Sequence, residues 1–154
     1  MHAYIITGSD EKGRTDHINS LLLNWHVSGH DIVTLMPIDN AIGIDAVRSI
    51  VPQLSFKPRS SPLSVLVVRG AHQLSEEAQQ ALLKTLEEPV GESRILLETQ
   101  EPFALLPTIL SRCLIVKISS APTKQEGISE FQCIDTLKLL ADASPGNRLK
   151  KIDE

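Results

Sequence analysis

Eight residues near the amino terminus have the spacing of a loop that binds nucleotide phosphates. Residues 8–15, GSDEKGRT, match the pattern GxxxxGK[ST] except that Arg14 stands in place of the lysine. In such a loop, backbone amides wrap a phosphate, the lysine contacts it, and the final hydroxyl binds magnesium. Gly8, Gly13, Arg14 and Thr15 are therefore the candidate nucleotide-binding residues.

Arg14 and its acidic neighbours argue against hydrolysis at this loop. A guanidinium is planar and bulkier than an ammonium, so it is not a simple substitute. The carboxylates of Asp10 and Glu11 would also repel the anion. Three interpretations stay open: an ordinary glycine-rich turn, residual nucleotide binding, and a stand-alone NTPase that uses Arg14 in place of lysine. The residues favour the first two over the third.

The end of the apolar run LSVLVV, residues 63–68, tests the same chemistry independently. P-loop ATPases place an aspartate there for magnesium and often a glutamate that activates water. Arg69 and Gly70 occupy those positions here. Because neither can bind magnesium or act as a general base, we expect no intrinsic ATPase activity.

Five short apolar runs must position these residues. They alternate with segments of helical spacing, which is typical of a parallel sheet covered on both faces. The predicted fold is therefore α/β, a three-layer P-loop domain with a parallel five-stranded sheet. The predicted strands are AYIIT, IVTLM, LSVLVV, RILLE and LIVKI.

Three helices are predicted between these strands. Ser75 can cap a helix that Pro89 ends, and the segment IDAVRSIV should stop or kink at Pro52. A helix after the first strand has one apolar face at i, i+3, i+4 and i+7. That face consists of Ile18, Leu21, Leu22 and Trp25.

The polar run from Ser119 to Gly127 indicates a domain boundary. We assign residues 1–119 to the P-loop domain, 120–127 to a linker, and 128–154 to a short helical appendage. The last segment can form one amphipathic helix but cannot fold alone.

The composition limits the classes of function. A net charge of −4 argues against DNA binding driven by summed positive charge. Two cysteines cannot build a disulfide framework or a four-cysteine zinc site. The amino-terminal apolar run is too short for a signal peptide or membrane span, so we expect a cytoplasmic protein without membrane contact.

Two histidines are the nearest approach to a metal site. His26 and His30 are four residues apart, as ligands on a helix can be. Ser28 and Gly29 between them indicate a turn, and no third ligand is near. We therefore expect surface histidines and no metal, including no zinc.

Two longer motifs resemble a known family. ALLKTLEEP at 81–89 and LLPTILSRC at 105–113 resemble the clamp-loader ATPase subunits of bacterial DNA polymerase III, which have the AAA+ fold. IGIDAVRSIVPQLSFKP at 42–58 extends the similarity, which covers about residues 3–118. The departures at Arg14, Arg69 and Gly70 resemble the delta prime type. The resemblance therefore implies a subunit that does not hydrolyse ATP and requires no cofactor, with ATP binding left open.

The resemblance also implies a role in trans for one arginine. Ser111, Arg112 and Cys113 match the family's SRC motif, in which the arginine reaches the γ-phosphate held by a neighbouring subunit. The implied partners are gamma/tau-type motor subunits and the delta subunit, with the sliding clamp and primed DNA contacted through the complex. A pseudo-ATPase scaffold in replication or repair is the alternative.

We expect structural roles for Thr99 and the two cysteines. Thr99 lies where the family has a nucleotide-sensing residue, and we expect a structural use. Cys113 is expected to be a small buried side chain and Cys133 a residue on a helix face. The family continues into lid and collar domains, of which 128–154 would be a vestigial or truncated lid segment.

Overall fold

The computed structural model describes residues 2–89 and 91–119. The predicted linker at 120–127, the appendage at 128–154 and Cys133 lie outside these residues. The domain boundaries therefore stay predictions.

Five parallel strands form one sheet, as the apolar runs predict. Their order across the sheet is β2, β3, β4, β1, β5, so the first strand lies between the last two. IVTLM provides the edge strand β2. The strands are β1 Ala3–Thr7, β2 Ile32–Leu35, β3 Ser64–Val68, β4 Ser93–Thr99 and β5 Leu114–Lys117.

Helices cover both faces of this sheet, which confirms the three-layer α/β prediction. Helix α1 packs through Ile18 on one face, and the other three helices pack on the opposite face. The predicted stop near Pro52 is confirmed, because the α-helical hydrogen bonding of α2 gives way to a 3-10 helix at Val51–Ser55. The helices are α1 Glu11–Asn24, α2 Ile44–Ile50, α3 Glu76–Glu87 and α4 Pro107–Leu110.

Local signals account for the ends of α3 and the packing of α1. The Ser75 hydroxyl accepts a hydrogen bond from the Ala78 amide at 3.2 Å, as a capping residue should. The helix ends at Glu87, two residues before Pro89. Trp25 lies just beyond α1 and packs against the same apolar cluster as Ile18.

Asp31 fastens the loop before β3 to the start of β2. Its carboxylate accepts hydrogen bonds from the backbone amides of Arg59 at 2.7 Å and Ser60 at 3.0 Å, and from the Ser28 hydroxyl at 3.2 Å. The bond from the Arg59 amide, with smaller contributions from the others, holds the pKa of Asp31 well below its ordinary value. The charged carboxylate therefore stabilises the folded state.

We expect Asp31→Asn to lower the urea midpoint of unfolding at pH 7. Because the folded-state pKa is lowered, the stabilisation is present above the unfolded pKa and is lost as the pH falls through the folded value. The difference between wild type and variant should therefore shrink between about pH 4 and pH 2. Urea titrations at several pH values measure it, and a difference that does not change with pH would contradict the assignment.

Candidate functional site

The sheet brings two side chains from neighbouring strands to one place on the α1 face. Val67 of β3 and Leu96 of β4 belong to the apolar cluster under α1. Side chains two residues apart on a strand share a face. Arg69 and Glu98, which follow them by two, therefore extend this face toward the carboxyl edge of the sheet. Arg14 arrives from α1, one helical turn before Ile18.

These residues form a hydrogen-bonded group that we call the Glu98 cluster, consisting of Arg14, Thr15, Arg69 and Glu98. Arg14 Nε donates to one carboxylate oxygen of Glu98 at 3.1 Å, and Arg69 Nη1 donates to the other at 2.7 Å. Arg69 Nη1 also donates to the Thr15 hydroxyl at 2.9 Å. Arg14 Nη1 donates to the Gly8 carbonyl. Of the four candidate nucleotide-binding residues, Arg14 and Thr15 have side chains that could hold a ligand, and both are bonded within the protein.

Burial makes this cluster electrostatically strong. Arg14 is 7% exposed and Glu98 is 4% exposed. Hydrogen bonds between ionised groups are roughly twice as strong as those between neutral groups. Removing these charges from water costs a large free energy. The hydrogen bonds offset that cost only when both arginines and Glu98 are present. The arrangement commits Arg14 to Glu98 and to the Gly8 carbonyl.

The turn between β1 and α1 is shorter than the GxxxxGK[ST] pattern suggests. Helix α1 begins at Glu11, inside the GSDEKGRT pattern, and the Arg14 amide donates to the Asp10 carbonyl at 3.1 Å. Only Gly8, Ser9 and Asp10 remain between strand and helix. A phosphate cradle needs backbone amides that turn inward from a longer loop. Here the Arg14 amide is used by the helix instead.

Ile118, directly after β5, fills the space between the two loop glycines. Its amide donates to the Thr7 carbonyl at 2.6 Å, which draws the chain across the loop. A Cβ placed on Gly8, whose φ is +150°, would lie 2.3 Å from the Ile118 carbonyl oxygen. A Cβ on Gly13 would lie 3.1 Å from Ile118 Cγ2 and 2.7 Å from an Asp10 carboxylate oxygen. Gly8 is therefore required by a backbone contact, whereas at Gly13 the space is limited by two side chains that could shift.

Thr99 has two internal partners at the carboxyl end of β4. Its hydroxyl lies 3.2 Å from His72 Nδ1 and accepts a hydrogen bond from the Glu101 amide at 3.0 Å. These contacts agree with the predicted structural use. A cleft of about 1030 Å³ opens beside it, and Phe103, which is 82% exposed, forms part of its wall with Ser9.

The SRC residues lie in a different part of the domain. Arg112 Nη2 is 2.8 Å from a carboxylate oxygen of Glu87, at the end of α3. Arg112 Nη1 donates to the Thr108 carbonyl at 2.9 Å and to the Ser111 hydroxyl at 3.3 Å. Its side chain is 37% exposed. The guanidinium is therefore oriented by three oxygen atoms and still reaches the surface.

The next residue is buried, as expected. Burial raises the pKa of the Cys113 thiol to about 12, so the thiolate that would act as a nucleophile is disfavoured. Cys113 packs in the apolar cluster on the α3 face.

Arg112 and the turn at residues 8–10 lie at opposite ends of the parallel strands. All five strands are parallel, so their carboxyl ends share one edge and their amino ends share the other. Gly8 follows the carboxyl end of β1, whereas Arg112 precedes the amino end of β5. A strand of four or five residues separates these edges by about 15 Å. Arg112 therefore does not face the loop of its own chain.

Glu98 and Glu87 are the site residues that sequence reasoning did not identify. Glu98 had a signal, because a carboxylate at the end of the apolar run RILLE must find a cation when it is buried. No sequence pattern indicated the role of Glu87, because its ion pair with Arg112 joins residues that are distant in sequence.

Two expected absences can be stated only for the described part of the chain. Residues 2–89 and 91–119 contain no group of three or more His, Cys, Asp and Glu residues that could hold a metal. No helix in the same ranges is long and apolar enough to cross a membrane. His26 and His30 are both exposed, as predicted. His26 lies in a turn with a positive φ of 56°.

Solved structures resemble this fold. A DNA polymerase III gamma subunit-related protein from Thermotoga maritima superposes with a TM-score of 0.68 at 30% identity, covering 78% of this chain and 42% of that one. The Thermotoga maritima RuvB Holliday junction branch migration motor gives a TM-score of 0.54 at 14% identity, covering 75% of this chain and 36% of its own. At that identity the second likeness shows the fold alone, and it agrees with the predicted AAA+ P-loop domain.

Curated relatives agree with these structures. DNA polymerase III subunit delta′ of Escherichia coli is 36% identical over 129 residues, which is 77% of this chain and 38% of that protein. The delta′ subunit of Haemophilus influenzae is 40% identical over 116 residues, covering 75% of this chain and 35% of the relative. Subunit tau of Bacillus subtilis is 37% identical, covering 73% of this chain and 23% of its own. The chain spans well under half the length of these relatives.

A family model described as DNA polymerase III, delta subunit matches residues 5–122, most of the chain. The match includes the phosphate loop, the Glu98 cluster and the SRC residues. The chain therefore belongs to this DNA polymerase III family, and it is of the delta′ type.

Proposed function

We propose that this chain is a clamp-loader subunit of DNA polymerase III that places Arg112 at the ATP of a neighbouring gamma/tau-type subunit. The delta subunit, the sliding clamp and primed DNA would be engaged through the same complex. The delta′ and tau relatives support the gamma/tau-type partner. The delta subunit, the clamp and the DNA are added from the resemblance to the clamp-loader family.

The position of Arg112 is the observation that carries the proposal. It is oriented by Glu87, Thr108 and Ser111, and it lies at the sheet edge opposite its own phosphate loop. A guanidinium has five N–H donors and a permanent charge, so it can contact a phosphate while keeping such internal bonds. An arginine supplied in trans stabilises the charge that develops on the γ-phosphoryl group during transfer.

The chain would act without binding a nucleotide in its own P-loop. Arg14 is bonded to Glu98, the Thr15 hydroxyl accepts from Arg69, and α1 starts inside the loop pattern. These contacts support a subunit that has lost ATP hydrolysis and needs no cofactor. They weigh against a stand-alone NTPase, which requires Arg14 to face a phosphate.

Reconstitution tests the proposal. ATP hydrolysis by the gamma/tau-type subunit of the same organism is measured with clamp and primed DNA, with and without this chain, beside the chain alone. We expect association, stimulated hydrolysis in the mixture, and none by the chain alone. Hydrolysis by the purified chain would instead support the NTPase, and association without stimulation would support a pseudo-ATPase scaffold.

Glu87 should matter to the same activity, because it orients Arg112. We expect Glu87→Gln to lower the stimulation about tenfold, since a small misplacement of a positioned group is costly in rate. Association should be unchanged, because the variant keeps the arginine and its charge. Titration of the motor subunit separates binding from maximal rate.

Glu88 provides the matched control. It is adjacent and exposed, and no side-chain bond is found for it among the described residues, so Glu88→Gln should leave stimulation intact. If both variants lose the same amount of stimulation, the negative charge of this surface matters rather than the contact between Glu87 and Arg112. If neither variant loses stimulation, Glu87 does not orient Arg112 for catalysis.

A further inference from the structure

We infer that Gln79 is a second positioning residue for Arg112, because it fixes the segment that precedes this arginine to helix α3. The segment consists of residues 102–111 and leads from the loop after β4 to Arg112. The inference rests on the role proposed for Arg112 and extends it to a side chain that does not touch the guanidinium.

The side chain of Gln79 is buried, at 5% exposure, and its amide group is fully used. Its Oε1 accepts a hydrogen bond from the Leu106 amide at 2.8 Å. Its Nε2 donates to the carbonyls of Leu74 at 3.2 Å and Ala104 at 3.4 Å. A side-chain amide has one acceptor oxygen and two N–H donors, so each part of the group has a partner. The opposite orientation of the amide would place two donors against each other at Leu106, so the contacts admit one orientation.

Residues 102–111 form a segment with little regular structure of its own. It contains the 3-10 helix Pro102–Ala104 and α4, neither of which is longer than four residues. Leu105 and Ile109 are buried in the apolar cluster on the α3 face, but apolar burial is not directional. In residues 2–89 and 91–119, the hydrogen bonds found between this segment and a distant part of the sequence both involve Gln79. Gln79 therefore specifies where the segment lies on α3.

The position of this segment reaches Arg112 through two of the oxygen atoms that orient it. The Thr108 carbonyl and the Ser111 hydroxyl, which accept hydrogen bonds from the guanidinium, both belong to the segment. The third oxygen belongs to Glu87, at the end of α3. Gln79 and Glu87 lie about 12 Å apart along the axis of α3. The same helix thus holds the segment at one point and the arginine at another.

Loss of the Gln79 hydrogen bonds would change the geometry around Arg112 without changing any charge. The oxygen atoms of Thr108 and Ser111 would no longer be fixed relative to Glu87, so the guanidinium would no longer be held in one position. A displacement of about 1 Å can cost about 10²-fold in rate when a reaction depends on a positioned group.

The test compares Gln79→Met with Gln80→Met in the full chain, mixed with the gamma/tau-type subunit, clamp and primed DNA. Methionine is unbranched and similar in length to glutamine, but it cannot form these hydrogen bonds. Gln80 is the matched control, because it is adjacent and exposed and its amide donates to Glu76 on the surface at 3.4 Å. We expect Gln79→Met to lower the maximal stimulation of ATP hydrolysis about tenfold, and Gln80→Met to leave it unchanged.

Titration of the motor subunit with each variant separates positioning from stability. A variant that only folds less well contains less active chain, so it needs a higher total concentration for half-maximal stimulation and still reaches the same maximum. A displaced Arg112 lowers the maximum itself and leaves the half-maximal concentration unchanged. A loss for Gln79→Met that is recovered at high concentration would overturn the inference, as would an equal loss for Gln80→Met.

A second measurement decides the inference without the motor subunit. The heteronuclear NOE of the Arg112 Nε–H group in the isotope-labelled full chain reports the fast motion of the guanidinium. We expect this NOE to fall in Gln79→Met and to match wild type in Gln80→Met, and an unchanged value in Gln79→Met would overturn the inference. If the wild-type chain gives no stimulation, the proposed function fails, and the NOE still shows whether Gln79 holds Arg112 in place.

A second variant covers the case in which Gln79→Met does not fold. Gln79→Asn keeps an amide that is one carbon shorter, so it cannot reach the Leu106 amide from the same backbone position. The same two measurements then apply to Gln79→Asn, with the same expected and contrary results.

Discussion

The Arg112→Ala variant should lose the ability to stimulate ATP hydrolysis by the adjoining gamma/tau-type subunit. A complete arginine finger contributes about 10³- to 10⁵-fold to the rate, so we expect a loss of at least about 10³-fold at that interface. In a complex with several ATPase sites, only the site next to Arg112 is affected, so the total rate of hydrolysis would fall less. Single-turnover hydrolysis of bound ATP therefore measures the effect best.

Stability should not explain that loss. The Arg112 and Glu87 side chains are 37% and 50% exposed, and an ion pair this exposed contributes about 0–1 kcal/mol. The variant should therefore fold and associate normally. Arg112→Lys keeps the charge but lacks the planar guanidinium. We expect its stimulation of ATP hydrolysis to lie between those of Arg112→Ala and wild type.

The matched control is Arg48→Ala, which removes an exposed arginine from α2. It should leave the stimulation unchanged. If the gamma/tau-type subunit hydrolyses ATP as fast with Arg112→Ala as with the wild-type chain, the role in trans is wrong.

The largest loss of stability is expected from Glu98→Ala. Removing this carboxylate leaves the Arg14 and Arg69 guanidinium groups facing each other without a counterion. Breaking a buried ion pair costs about 3–5 kcal/mol, and we expect about 3 kcal/mol because Arg69 is partly hydrated. Urea unfolding at pH 7 measures the change in the free energy of unfolding.

A compensated variant separates lost charge pairing from lost packing. Arg14→Met and Arg69→Met, added to Glu98→Leu, replace the three charged residues of the Glu98 cluster by apolar groups of similar size. Such replacements are often neutral or stabilising. We expect this triple variant to recover most of the stability, whereas equal destabilisation of both variants would show that the charges contribute little.

Much of the fold follows from local patterns along the chain. The apolar runs gave all five strands, because a buried parallel strand has apolar residues on both faces. Ser75 and Pro89 marked the limits of α3, since each acts through the backbone of its own segment. The start of α1 did not follow, because the GxxxxGK[ST] pattern suggested a longer loop than the three residues present.

The sequence suggests a chemistry for the site, but it does not specify the contacts within it. Arg14, Arg69 and Gly70 predict that hydrolysis is absent, because each replaces a residue with a specific chemical role, and this stays a prediction. The bond from Arg14 to Glu98 joins residues 84 apart in sequence and depends on the strand order β3, β4, β1. Strand order is a property of the whole sheet, so no local pattern specifies it.

The contact between Gly8 and Ile118 bears on how such chains change during evolution. A side chain at Gly8 would collide with the Ile118 carbonyl whether or not a nucleotide ever binds. Selection for folding alone would therefore keep this glycine after the lysine of the motif has been lost. A glycine at this position is therefore evidence of the fold and not of nucleotide binding, so a search that scores Gly8 would detect the fold rather than the activity.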